Sequence, residues 1–234
     1  MTKKIKVLNL YAGIGGNRKL WENVEVTAVE NNPEIAKIYQ DFFPEDKVIV
    51  ADAHQFLLEH YKEFDFIWSS PPCQSHSRSR FWGMNRGYTP LFPDLKLYEE
   101  ILFLKHYFKG FWVIENVIPY YKVLINAKKV GRHLIWSNFF IPDMEFPPLS
   151  NIINSLEELE KYHNFSLKNM RYSGDKRVLL RNCIEGEMSL RILNQICCQN
   201  CNVPLEEYED YDNDKWMGCP KCDENSFLKK EVQE

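Results

Sequence analysis

The stretch Phe64-Asp65-Phe66-Ile67-Trp68-Ser69-Ser70-Pro71-Pro72-Cys73-Gln74 decides the fold. Its first five residues form an apolar run closed by prolines, the pattern of a buried strand. A strand feeding a Pro-Pro turn sets the Cys73 thiol at the strand's carboxyl end. In open α/β sheets that is where ligands bind. A thiol there is either a small hydrophobe or a nucleophile, and the rest of the chain decides between them.

Residues 5–10 give another apolar strand, followed by Tyr11-Ala12-Gly13-Ile14-Gly15-Gly16. Glycines at this point allow a tight turn and a close approach of a cofactor to the backbone. The spacing is Gly-x-Gly-Gly rather than the dinucleotide Gly-x-Gly-x-x-Gly. A third strand, 24–29, runs into Glu30, a carboxylate placed to take both hydroxyls of a ribose. Asp52 follows a strand at 47–50 and is placed to accept from an adenine amino group. Each carboxylate alone also fits a solvated loop; together, three strand ends with matching polar groups describe a nucleoside pocket.

Between the strands lie helix patterns. Residues 33–43 carry Pro33 at the start and Ile35, Ile38, Tyr39 and Phe42 at helical spacing. Residues 94–108 show Leu95, Tyr98, Ile101, Leu102 and Lys105 along one face, and 186–196 forms a third, weaker pattern. Strands alternating with helices imply an α/β fold with a doubly wound, Rossmann-like sheet. Residues 78–92, rich in Gly, Asn, Tyr and Arg, have no period and read as a mobile loop closing over the site.

These motifs resemble those of the C5-cytosine-specific DNA methyltransferase family, in the family's order over residues 5 to about 195. Tyr11-Ala12-Gly13-Ile14-Gly15-Gly16 is similar to its first cofactor motif, with Tyr for the usual Phe. Glu30 and Asp52 match the second and third motifs, and Pro71-Pro72-Cys73-Gln74 the catalytic loop. Glu115-Asn116-Val117, after an apolar strand at 111–114, matches the family's Glu-Asn-Val. Arg132 resembles the last Arg of its Gln-x-Arg-x-Arg element, and Trp136-Ser137-Asn138 resembles a Trp-x-Asn of the animal de novo enzymes. Asn182 resembles the Asn of the final motif. The chain departs from the pattern at Lys128 and Val130 (Gln and the first Arg), His76 (Phe) and Glu185-Gly186 (Pro-Pro).

The resemblance implies S-adenosylmethionine as cofactor, held by Tyr11, Gly13, Ile14, Gly15, Gly16, Glu30, Asn31, Asp52, Ala53, Pro72 and Asn182. It implies catalysis by Cys73, Glu115 and Arg132: attack of a thiolate on cytosine C6, and proton donation to N3 by Glu115. Arg132 would sit near O2 or orient the Glu115 carboxylate. A thiolate calls for nearby positive charge or a helix terminus, with Arg78, Arg80 and Arg132 as the candidates. The substrate implied is cytosine in double-stranded DNA. RNA is the alternative, because residues 139–180 leave room for only a reduced target-recognition region. A catalytically silent scaffold is the third reading, opposed by the pairing of Cys73 with Glu115.

Composition bounds these readings. The 234 residues, 44% apolar and 26% charged, describe a globular chain with a methyltransferase domain at 1–196 and a small appendage at 197–228. No apolar run is long enough for a membrane span. Seven Cys and no secretory core imply a reduced, cytoplasmic location, beside the nucleoid in a bacterium. Net charge is −4, yet from residue 202 on 10 acidic side chains face 4 basic ones, whereas residues 1–201 hold 25 basic and 23 acidic. Basic clusters at Arg78, Arg80 and Arg86, at Lys122, Lys128 and Lys129, and at 168–181 suit phosphates.

Cys198-x-x-Cys201 and Cys219-x-x-Cys222 stand 17 residues apart, the spacing of a four-thiolate structural zinc ribbon. Cys197 is an alternative ligand. The acidic stretch 206–214 disfavours phosphate contact and suits docking of a partner protein that adds specificity.

Overall fold

The computed structural model describes residues 4–78, 92–146, 155–198, 205–209 and 215–222. Seven strands form one sheet: β1 (Ile5–Leu10), β2 (Val24–Glu30), β3 (Lys47–Val50), β4 (Phe66–Ser69), β5 (Phe111–Val117), β6 (Lys128–Val130) and β7 (His133–Ser137). Their order is β3-β2-β1-β4-β5-β7-β6. Strands β1 to β5 pair in parallel, and β7 runs antiparallel to both β5 and β6. Strand order reverses between β1 and β4, whose ends pair Leu10 with Ser69. The turns leaving these two strands therefore emerge side by side at a switch point.

Alternation along the strands fills two cores. Phe66 and Trp68 join one cluster with Val7, Val26, Val113 and Ile135, while Ile67 points to the other with Leu8, Leu10, Ile114 and Trp136. Six α-helices are described: α1 (Pro33–Phe42), α2 (Ala53–His60), α3 (Lys96–Tyr107), α4 (Leu156–His163), α5 (Lys176–Arg181) and α6 (Gly186–Leu193). Tyr39 of α1 and Met188, Ile192 and Leu193 of α6 cover the first face. Leu57 of α2 and Leu97, Ile101 and Leu104 of α3 cover the second. Helices on both faces make the mixed α/β sheet doubly wound, as the alternating pattern implies.

Differences from the sequence reading have local causes. The 64–68 run pairs in the ladder only from Phe66, because Asp65 is occupied by Lys6: its carboxylate accepts from the Lys6 amide at 3.0 Å. Strand β5 continues through Glu115, Asn116 and Val117 because β7 lies alongside, with Glu115 opposite Ile135 and Val117 opposite His133. Hairpin β6–β7 and helices α2, α4 and α5 leave only short patterns in the sequence. The 186–196 helix ends at Leu193 and tightens into a 3-10 turn, Asn194–Ile196.

Within 139–180, the described residues do not project as a separate lobe. Leu159, Phe165, Leu167, Leu179 and Leu180 pack on Ile14 and on Ile38 of α1, and the Phe165 ring lies tilted against Phe42 with centroids 4.6 Å apart. At the C-terminus β8 (Glu206–Glu209) pairs antiparallel with β9 (Lys215–Gly218). Among the described residues, no helix is long and apolar enough to cross a membrane.

Candidate active site

A cavity of about 370 Å³ opens at the switch point, within the range of small-molecule sites. Tyr11, Gly13, Ile14, Gly16, Glu30, Asn31, Pro72, Cys73, Glu115, Arg132 and Asn182 all line it. Gly15, Asp52 and Ala53 do not, so the sequence-derived set is brought together apart from these three.

The 11–16 loop uses its glycines differently. Gly13 has φ +55°, and a Cβ there would meet nothing within 4 Å, so this glycine opens the cavity side of the loop. Gly16 serves packing: its Cβ would fall 2.7 Å from Cys183 Cβ. Tyr11, at φ 54°, holds a left-handed conformation costly for a side chain. Its hydroxyl donates to Glu100 Oε1 at 2.7 Å, and the fully buried Glu100 also accepts from Ser69 Oγ at 2.7 Å. His54 Nδ1 lies 3.1 Å from the same carboxylate. The Tyr that replaces Phe thus ties the loop to α3 and to the end of β4. Burial, then the Glu100 charge, drives the Tyr11 phenol well above its ordinary range.

Glu30 is buried, with Oε2 accepting from the Gly13 amide and Oε1 from the Asn32 amide, each at 3.0 Å. It therefore braces the loop while facing the cavity. Asp52 is the N-cap of α2, its side chain accepting from the Gln55 amide at 2.9 Å. That bond, first among several effects, holds its carboxyl below the usual range.

After β4 the chain turns at Cys73, whose carbonyl accepts from the amides of His76 and Ser77 at 3.0 and 2.9 Å. Asn116 Nδ2 donates to the Pro71 carbonyl at 2.9 Å, pinning the Pro-Pro turn to β5. His76 is buried with Nδ1 2.6 Å from the Tyr121 hydroxyl, which accounts for a polar ring in a Phe position. The expectation of a thiol lowered by surrounding positive charge is corrected here. Burial, then the Glu115 carboxylate, pushes the Cys73 thiol up, and Arg132 offsets this only in part. Arg78 is turned to the Pro119 carbonyl at 3.3 Å. Arg80, Arg86 and most of the expected closing loop lie outside the described residues.

Glu115 has a partner that the motif reading missed. Hairpin β6–β7 turns on Gly131, φ +55°, and Arg132. Arg132 at the tip donates through Nη2 to the carbonyls of Arg181 and Cys183, at 3.3 and 3.1 Å. The side chain touching Glu115 is instead the buried His133, with Nδ1 2.5 Å from Oε1. On its far side, His133 Nε2 lies 3.5 Å from Glu185 Oε2. Burial alone would lower this imidazole, but the two carboxylates, Glu115 foremost, hold it up at about 9. Burial likewise opposes the charge on Glu185, yet His133 and then Arg132 bring it down to about 2. Only the departure at Glu185 hinted at this pair in the sequence.

The Sγ atoms of Cys198, Cys219 and Cys222 all lie within 4.8 Å of one another, a group able to share a metal ion. Cys201 lies outside the described residues. Cys197 belongs to the main core rather than to this trio.

A family model described as C-5 cytosine-specific DNA methylase matches residues 5–129. A tRNA (cytosine(38)-C(5))-methyltransferase of Spodoptera frugiperda is 33% identical over 81 residues, covering 32% of this chain and 24% of that protein. The chain thus spans about a quarter of the length of this curated relative. Among solved structures, a DNMT2 mutant of the same insect aligns at 27% identity and TM-score 0.34, covering 49% of this chain and 36% of that one. A SAM-dependent methyltransferase of Agrobacterium tumefaciens aligns at 15% identity and TM-score 0.34, covering 52% and 41%.

Proposed function

The chain belongs to the C-5 cytosine-specific DNA methylase family, and from that premise we propose that it methylates C5 of a cytosine held in nucleic acid. The reading is carried by one observation: Cys73 and Glu115 line the same cavity as the 11–16 loop and Glu30. That cavity is of small-molecule size, and the missing side chain of Gly13 leaves room for S-adenosylmethionine to approach the loop. Glu30 would take the ribose, Asp52 the adenine amino group, and Asn31, Ala53, Pro72 and Asn182 the remaining contacts.

S-adenosylmethionine supplies an electrophilic methyl group when bound. Cytosine C5 is a poor nucleophile, so Cys73 first bonds to C6 and shifts electron density onto C5. Glu115 protonates N3 as negative charge builds there, help worth about 10²–10⁴-fold. Arg132, which lines the cavity, would neutralise charge at O2 or orient the Glu115 carboxylate. Loss of the C5 proton to water then lets the C6–sulfur bond break and restores the thiolate.

Double-stranded DNA is our first substrate reading, after the family's description. Structured RNA is the second, favoured by the name of the Spodoptera frugiperda relative. A base in a duplex must leave the stack to reach Cys73, at a cost of a few kcal/mol. The described part of the small recognition region supports a short target, because its apolar residues are spent on α1 and the cofactor loop. A partner docking on the acidic C-terminal segment would add specificity. Incubation with methyl-labelled S-adenosylmethionine and either duplex DNA or a tRNA transcript decides the substrate. Label in neither would end the proposal.

We assign Cys198, Cys201, Cys219 and Cys222 to one structural zinc, which replaces a core this short segment cannot build. Elemental analysis of reduced protein should give one zinc per chain, and a metal-free, folded C-terminus would refute the assignment.

A further inference from the structure

We propose that Glu115, His133 and Glu185 form a proton relay, in which His133 stores the proton that Glu115 delivers to cytosine N3 and Glu185 secures the imidazole from behind. The inference rests on the proposed methyl transfer and assigns two positioning residues to it. His133 follows the Arg motif, and Glu185 stands at a position where the family pattern has Pro. The fold brings them together from residues 52 apart in sequence, on the hairpin β6–β7 and at the start of α6.

The geometry is that of a buried imidazole between two carboxylates, at 2.5 Å on Nδ1 and 3.5 Å on Nε2. The Nε2 contact is an ion-pair distance without a closed hydrogen bond, so that edge is held by charge. Glu115 and His133 both line the cavity, so the end of the relay meets the substrate space. The surrounding groups fit a stored positive charge. Glu115 approaches from β5 and Glu185 from the start of α6, while Arg132 projects from the same hairpin. Tyr162 and His163 at the end of α4 face Glu185, with Lys19 behind them. His163 is pushed down to about 4 by burial, so it is neutral and does not compete for the proton.

Two buried charges and a half-buried third are a poor way to secure a hairpin, since a well-packed apolar group would do as well or better. A relay explains their presence. As the sulfur–C6 bond forms, His133 passes its Nδ1 proton to the Glu115 carboxylate, whose protonated oxygen turns to N3 and gives up that same proton, so that Glu115 ends as a carboxylate again. His133 is left neutral, with its remaining hydrogen on Nε2 toward Glu185. On elimination N3 returns the proton by the same path. Proton arrival at Glu115 also removes the negative charge that opposes a Cys73 thiolate.

The test combines two readouts. Nitrogen-15 NMR of histidine-labelled protein, without ligand, follows His133 directly. An imidazole held at about 9 is charged below that pH and loses its proton as pH rises through it. His133 should therefore remain an imidazolium at pH 8. Single-turnover methylation, on whichever of duplex DNA or tRNA transcript the wild type modifies, should rise with pH as the Cys73 thiol ionises and break to an alkaline limb near pH 9, where His133 loses its proton. Glu185→Gln should move this alkaline limb down by about one pH unit. His133→Gln should abolish the limb and slow the step about 10²-fold. A His133 titrating at or below pH 7 in an active wild type sinks the relay alone, as does an unshifted limb in Glu185→Gln. A wild type that methylates neither nucleic acid removes the methyltransferase reading, and the relay with it.

Discussion

The two halves of the cavity are built by different means. On the cofactor side the carboxylates brace backbone amides: Glu30 accepts from amides 17 and 2 residues away and Asp52 caps the helix that it begins, while Tyr11 reaches far, to Glu100 across 89 residues. On the catalytic side partners come from far along the chain. Asn116 holds Pro71 across 45 residues, Arg132 reaches Cys183 across 51, and Glu115 meets His133 across the sheet. The cofactor half is therefore a shape made by backbone, and the catalytic half a set of charges made by topology. Substitutions should separate the two, one class moving affinity and the other moving rate.

The sharpest separation is expected at Cys73. Cys73→Ser should cut methyl transfer by about 10⁴-fold or more with S-adenosylmethionine affinity unchanged, since the cofactor loop does not bond to the thiol. A 5-fluorocytosine substrate should trap the wild type covalently and leave the variant free on a denaturing gel. Retained transfer in the serine variant would break the comparison at its centre.

Glu30→Ala tests the other half. It removes a buried carboxylate from two amides and from the proposed ribose contact, so affinity should fall by about 1–3 kcal/mol. Isothermal titration reads it, and the rate at saturating cofactor should hold. An effect on rate alone would mean that the halves are not separable.

Gly16→Ala probes where they touch, because its Cβ would press on Cys183, whose carbonyl anchors Arg132. Overpacking of this kind costs about 1–3 kcal/mol, read as a lower midpoint in urea unfolding.

Asp52→Ala should have the smallest effect, the loss of a helix cap at about 1 kcal/mol, with a lower melting temperature. Cofactor affinity should fall as well, by less than in Glu30→Ala because Asp52 lies off the cavity wall, and an unchanged affinity would remove the proposed adenine contact.

Strands β1, β2 and β3 and helix α1 were legible to within a residue because their signals are local: apolar runs and a Pro33 start. Short elements such as α2 and β6 were not, because their stability comes from packing rather than from their own pattern. The same division runs through the site. Glycines, strand-end carboxylates and the Pro-Pro-Cys turn announce themselves by type and spacing, and so the sequence alone determined the α/β class and marked Cys73, Glu30 and Asp52 as candidates for the site. It could not say what each group would touch. Which glycine faces the cavity, why Tyr11 carries a hydroxyl, and which side chain meets Glu115 depend on strand order and on the β6–β7 hairpin folding back along β5. Those contacts join residues tens of positions apart, and a hydrogen bond or ion pair at that separation leaves no periodic trace in a chain. Only the sheet brings its ends together.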